Sequence, residues 1–127
     1  MNRIKTVNEV VRVLLAEYPG ENINPEHELD KKVKPLISVI VAEEEINDLI
    51  PGASELMVEI MTEINDEDGG GVDFDTLSDY VCSDAFKDDL NAGVLITCHR
   101  VELTSTELER DDNTSKQTLG LRLWAFS

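Results

Sequence analysis

A chain of 127 residues has room for one domain, and its 41% hydrophobic content supports a real core despite a net charge of −16. With 27 acidic residues against 11 basic ones, the surface repels phosphate backbones over a Debye length of ~8 Å, which excludes ordinary nucleic-acid binding through basic patches. Three purposes for the acidity are open: solubility, a surface that repels DNA, or a surface that docks a basic partner.

The first element is a helix. Val7, Val10, Val11, Leu14, Leu15 and Tyr18 recur at spacings of three and four, and Pro19-Gly20 stops it. Residues 21–34 are polar and read as a loop. Pro35 then introduces Leu36-Ile37-Ser38-Val39-Ile40-Val41, a β-branched run that predicts a central strand buried on both faces. Glu43-Glu44-Glu45 marks where that strand emerges into water, and Pro51-Gly52 is a turn. Residues 53–64 alternate most clearly, with Leu56, Val58, Ile60 and Ile64 on one side and Glu55, Met57, Glu59, Met61 and Glu63 on the other. A strand is the reading; a helix is its rival, because Leu56, Ile60 and Ile64 also stand four apart.

After a glycine-rich acidic loop at residues 65–71, Asp73 is placed to cap a helix carrying Phe74, Leu77 and Val81. Ser83-Asp84 caps a second short turn through Phe86 and Leu90, which Asn91-Ala92-Gly93 ends. Residues 94–108 predict a strand with Leu95, Thr97, His99, Val101 and Leu103 on one face. A polar loop follows at residues 109–115. Leu119, Leu121, Leu123 and Ala125 then alternate with Gly120, Arg122, Trp124 and Phe126 in a final strand, hairpin-paired with the one before it. The whole predicts a single α+β domain over residues 1–127: a mainly antiparallel or mixed sheet of four to five strands packed against two helices. No apolar run approaches the ~20 residues of a membrane helix, and residues 1–5 lead into no signal-peptide core, so a cytoplasmic protein with two reduced core cysteines, Cys82 and Cys98, is expected.

No constellation of residues points to catalysis, a cofactor or a metal. Counting an EF-hand from Asp66 puts Gly70 where an oxygen ligand belongs and Leu77 where the bidentate Glu belongs, so the calcium pattern fails and a solvated turn is the reading. Glu43-Glu44-Glu45 is a contiguous run rather than two carboxylates held in distinct environments. Cys98 and His99 are neighbours on a strand and point to opposite faces, and Gly69-Gly70-Gly71 lacks the Lys-Ser/Thr of a phosphate loop. Trp124 and Phe126 on the last strand, with Met57 and Met61 on the Glu-rich face, have two readings. They pack beneath the two helices, or they make subunit contacts, for which Trp, Met and Phe are favoured.

The element order has a specific parallel. An N-terminal helix leads through a polar loop to the strand introduced by Pro35. A long strand ends near an acidic loop, a helix follows, and the chain closes on a two-strand unit around Arg110-Asp111-Asp112 and the alternating residues 119–126. This resembles the tail terminator, or tail completion, proteins of long-tailed, lambda-like bacteriophages, as a pattern over most of the chain. The resemblance implies a non-enzymatic subunit that forms a hexameric ring with copies of itself. The ring caps the tail-tube protein and joins it to a head-connector or neck protein. DNA passes through without specific binding, no membrane or cofactor takes part, and the protein is found in the host cytoplasm during assembly and then in the virion. Candidate interface residues are Arg110, Asp111, Asp112, Trp124, Phe126, Met57, Met61 and His27. A neck or head–tail completion protein is the nearest alternative; an acidic DNA-mimic inhibitor of a nucleic-acid-binding enzyme is the alternative from another class.

Overall fold

Val7, Val10 and Leu14, joined by Val13, bury one face of helix α1 (Arg3–Glu17), which begins before the first apolar residue of its pattern. Leu15, expected on that face, is exposed. The computed structural model describes residues 2–25, 35–65, 72–111 and 113–126. After α1 come β1 (Ile23–Pro25), β2 (Leu36–Ile46), β3 (Ala53–Asn65), α2 (Phe74–Val81), α3 (Asp84–Asn91), β4 (Thr97–Asp111) and β5 (Thr114–Phe126). The strands form one sheet in the order β1-β2-β3-β5-β4, with β1 parallel to β2 and every other pairing antiparallel. The α+β expectation holds, with five strands, and three helices rather than two, among the described residues.

One face of the sheet carries the core. Val39, Val58, Ile60, Leu119 and Leu121 are fully shielded there, together with Val10 and Leu14 of α1 and Leu77, Val81, Phe86 and Leu90 of α2 and α3. The alternation in β3 is that of the expected strand, so the helical rival fails. Asp73 caps α2 as expected, its Oδ2 accepting from the Thr76 amide at 3.3 Å. Ser83 stands at the start of α3, but its hydroxyl donates to the Tyr80 carbonyl at 2.6 Å and so closes α2 instead.

Several expectations are corrected. β2 is not buried on both faces: Ile40 is 36% exposed, because helices cover only one side of the sheet. Nor does β2 stop at the glutamates. A bulge at Ala42 shifts its register, and Glu43, Glu44 and Glu45 remain paired with Met57, Leu56 and Glu55 of β3. Part of the polar stretch after α1 is β1, whose Ile23 is buried. Residues 94–96 precede β4, and β4 itself holds two bulges, at His99 and Thr104. Each bulge inserts one residue and turns the following side chains over. Cys98 and Val101 therefore share the core side, where strict alternation puts His99. The loop expected at residues 109–115 is mostly strand, since β4 runs to Asp111 and β5 starts at Thr114. Cys98 is buried, whereas Cys82 is exposed; both are free thiols. The acidic loop at residues 66–71, and the polar loop at residues 26–34, lie outside the described residues.

Gly93 follows α3 where that helix meets α1. A Cβ built there would stand 1.8 Å from Glu9 Oε1 and 2.8 Å from Arg12. Glu9 is only 3% exposed and its other oxygen accepts from Arg12 Nε at 2.6 Å, so it has nowhere to retreat without breaking that ion pair. Gly93→Ala is expected to lower the unfolding free energy by about 2 kcal/mol, measured by urea denaturation.

Candidate interaction surface

The register of the strands decides which side chains share the face that no described helix covers. On β3 these are Glu55, Met57, Glu59, Met61 and Glu63. Across β2 they align with Glu45, Glu43 and Ile40, and across β5 with Trp124, Arg122, Gly120, Thr118 and Lys116. β4 adds Arg100, Glu102, Glu107, Glu109 and Asp111. Among the described residues, nine carboxylates and three cations therefore share this open face. The acidity of the chain is thus partly sorted onto one side of the sheet, which composition alone did not reveal.

The two ends of the open face differ. At the end where β4 begins and β5 finishes, Trp124 lies between two guanidinium groups, Arg100 at 5.1 Å and Arg122 at 5.9 Å from its ring. Arg122 pairs with Glu55 at 2.9 Å and Arg100 with Glu102 at 3.4 Å. His99, set free by its bulge, meets the Phe126 ring edge-on at 4.5 Å. Beside them stand Ile46, the last residue of β2, and Leu49 and Ile50 of the β2–β3 connection, of which Leu49 is 91% exposed. Ile46, Leu49, Ile50, His99, Trp124 and Phe126 line an open cleft of about 700 Å³, with Arg100 and Glu55 at its wall. Val94, 96% exposed, and Leu95 emerge three and two residues before Thr97, which pairs with Phe126, so they belong to the same end. Among the described residues the opposite end has no such cluster; Glu63, Glu109 and Asp111 stand there around Lys116 and Thr114. β5 separates the two ends by about 40 Å at ~3.3 Å per residue.

This apolar end is firmly built. Asn2, 1% exposed, does not cap α1 with its side chain. Its Nδ2 instead donates to Ser54 Oγ at 2.6 Å and to the Gly52 carbonyl at 3.0 Å, and its backbone N–H donates to Glu44 Oε2 at 2.7 Å. Ser54 Oγ donates to the same carboxylate oxygen at 2.8 Å. Burial alone would push the Glu44 carboxyl up; the donated hydrogen bonds outweigh it and hold the group below its ordinary value. The start of α1 is thereby clamped to β2 and β3 directly behind the cleft.

No protein-family model matches the chain, and no curated protein matches it in sequence.

The interface candidates read from the sequence fall into separate groups. Trp124 and Phe126 come together at the cleft, while Met57, level with Arg122, and Met61, level with Thr118, lie further along the same open face and outside the cleft lining. None of them packs beneath the helices, which corrects that reading: the helices cover the side of Leu119, Leu121 and Leu123. Arg110 and Asp111 stand at the far end of β4, both exposed, with Arg110 Nε donating to Ser115 Oγ at 3.3 Å. Asp112 and His27 lie outside the described residues. Sequence reading missed Ile46, Leu49 and Ile50, Arg100 and Arg122, and the role of His99. The signal for the first three was present in three large apolar residues beside Pro51-Gly52, a turn that no core requires to be apolar. Among the described residues, no helix is long and apolar enough to cross a membrane.

Proposed function

We propose that this chain is a structural subunit of a phage tail, a tail terminator that assembles as a ring, caps the tail tube and meets the head connector. The observation that supports this best is the two-part open face. A Trp–Arg–Phe cluster beside an apolar cleft has the composition of an assembly hot spot. The remainder of the face is a field of carboxylates, suited to a lumen through which DNA slides without sticking. A cyclic ring joins unlike surfaces, so the cleft end of one copy would meet a different surface of the next. The carboxylate field also favours a second reading, an acidic protein that occupies the basic groove of a nucleic-acid enzyme. Light scattering and electron microscopy separate the two. A ring of about six copies supports the terminator; a persistent monomer that binds such an enzyme tightly supports the mimic and overturns the terminator.

A further inference from the structure

Among the described residues, β4 is the last strand of the sheet and has a neighbour on only one side. Its bulges at His99 and Thr104 disrupt the first half, but residues 105–111 pair with β5 without interruption from Ser105 opposite Gly120 to Asp111 opposite Thr114. That leaves an uninterrupted seven-residue stretch whose outer backbone edge faces no described strand of this sheet. All seven residues are exposed. On the helix side of the sheet, the partners of this stretch on β5, Leu119, Gln117 and Ser115, are buried, yet Thr106, Leu108 and Arg110 beside them are not. The cover stops at β5, and Leu108 is 66% exposed on the uncovered ledge. On the other side of the same stretch, Glu107, Glu109 and Asp111 repeat at every second residue. An edge of this length is ordinarily shortened, twisted away, covered or charged, and here only its carboxylates guard it, a guard against like-charged strands that favours a cationic one.

Two ways of closing this edge with a second copy are unfavourable. An antiparallel pairing of the stretch with itself, centred on Leu108, would set Glu107 against Glu109 of the second copy, and like charges directly opposite destabilise a strand pair. The other edge of the sheet, β1, has three residues, and Pro25 contributes no N–H to a ladder. We infer that residues 105–111 form a strand-addition site for an extended segment of another protein, one that alternates Lys or Arg with apolar residues. Its cations would lie beside Glu107, Glu109 and Asp111, its apolar side chains beside Leu108, and its backbone would extend the ladder. This inference is independent of the tail reading.

The test uses the whole chain and a synthetic peptide alternating lysine with valine, with a control of the same composition in which the lysines and valines form separate blocks. The alternating peptide is expected to bind at least tenfold more tightly than the block control, by anisotropy of a labelled peptide. It is also expected to slow amide hydrogen exchange within residues 105–111. Glu107→Lys with Glu109→Lys, and separately Leu108→Glu, are expected to weaken it at least tenfold with the thermal transition unchanged, as all three side chains are exposed. Equal binding of both peptides would reduce the effect to bulk charge and overturn the inference. So would failure of the alternating peptide to bind, binding without protection of residues 105–111, or protection of those amides by self-association without peptide.

Discussion

Replacing Phe86 with alanine is expected to lower the unfolding free energy by about 4 kcal/mol, the largest stability effect of any single truncation in this domain. Phe86 is fully shielded on α3 and is the largest such side chain in the core. A close-packed core relaxes only partly around a lost ring, so most of the space stays empty. Its ring meets Tyr80 edge-on at 5.5 Å, and Tyr80 in turn meets Tyr18 at 6.0 Å, so the three rings tie α3 to α2 and to the end of α1. The Tyr80 hydroxyl donates to Asp89 Oδ2 at 2.5 Å, and burial with that carboxylate pushes the phenol far above its ordinary value, so it remains a neutral donor at any working pH. Removing the Phe86 ring thus leaves a cavity and also loosens the support of Tyr80. Urea denaturation of the variant measures the loss; a change below 1 kcal/mol would mean that α3 is not the keystone of the helical layer.

Trp124→Ala is expected to weaken self-association by about 30-fold per contact, equivalent to about 2 kcal/mol. The side chain is large, half-buried and held in place by Arg100 and Arg122, so little ordering remains to be lost when a partner covers it. Truncating it also leaves both guanidinium groups without their ring. Because Trp124 contributes some packing to its own sheet, a second variant guards the interpretation. Ile50→Asp changes an exposed residue of the same cleft, leaves the core alone, and is expected to prevent association while the thermal transition stays in place. Unchanged association in both variants, by analytical ultracentrifugation, would remove the cleft end from the interface.

Where the sequence was informative, the physical signal was local. The alternation in β3 and β5 set apart Leu56, Val58 and Ile60 from Glu55 and Glu59, and Leu121 and Leu123 from Arg122. Asp73 announced α2 three residues before its bond to Thr76. What stayed hidden depended on the neighbouring strand. The bulges at Ala42, His99 and Thr104 exist only relative to a partner's register, so the face of Cys98, His99 and Val101 could not be counted from alternation. β1, an Ile-Asn-Pro segment, is too short to carry a period. β5 has apolar side chains on both sides, and only the docking of the helices decides that Leu121 and Leu123 are core while Trp124 and Phe126 face outward. The cleft gathers residues from β2, β4, β5 and the turn after β2, so no sequence window contains it.

The same register gives the acidity its direction. Much of it lies on the open face, where it would face either passing DNA or a basic partner, and each copy that joins a ring brings −16 with it. Assembly through an apolar cleft against that repulsion has a definite salt dependence. The most direct measurement is the light-scattering mass of the chain across ionic strength, from low salt to well above physiological. A shift toward about six copies as salt or a divalent cation is added is the predicted result. A mass that stays at one chain throughout, or an assembly that dissolves as salt rises, would contradict the ring.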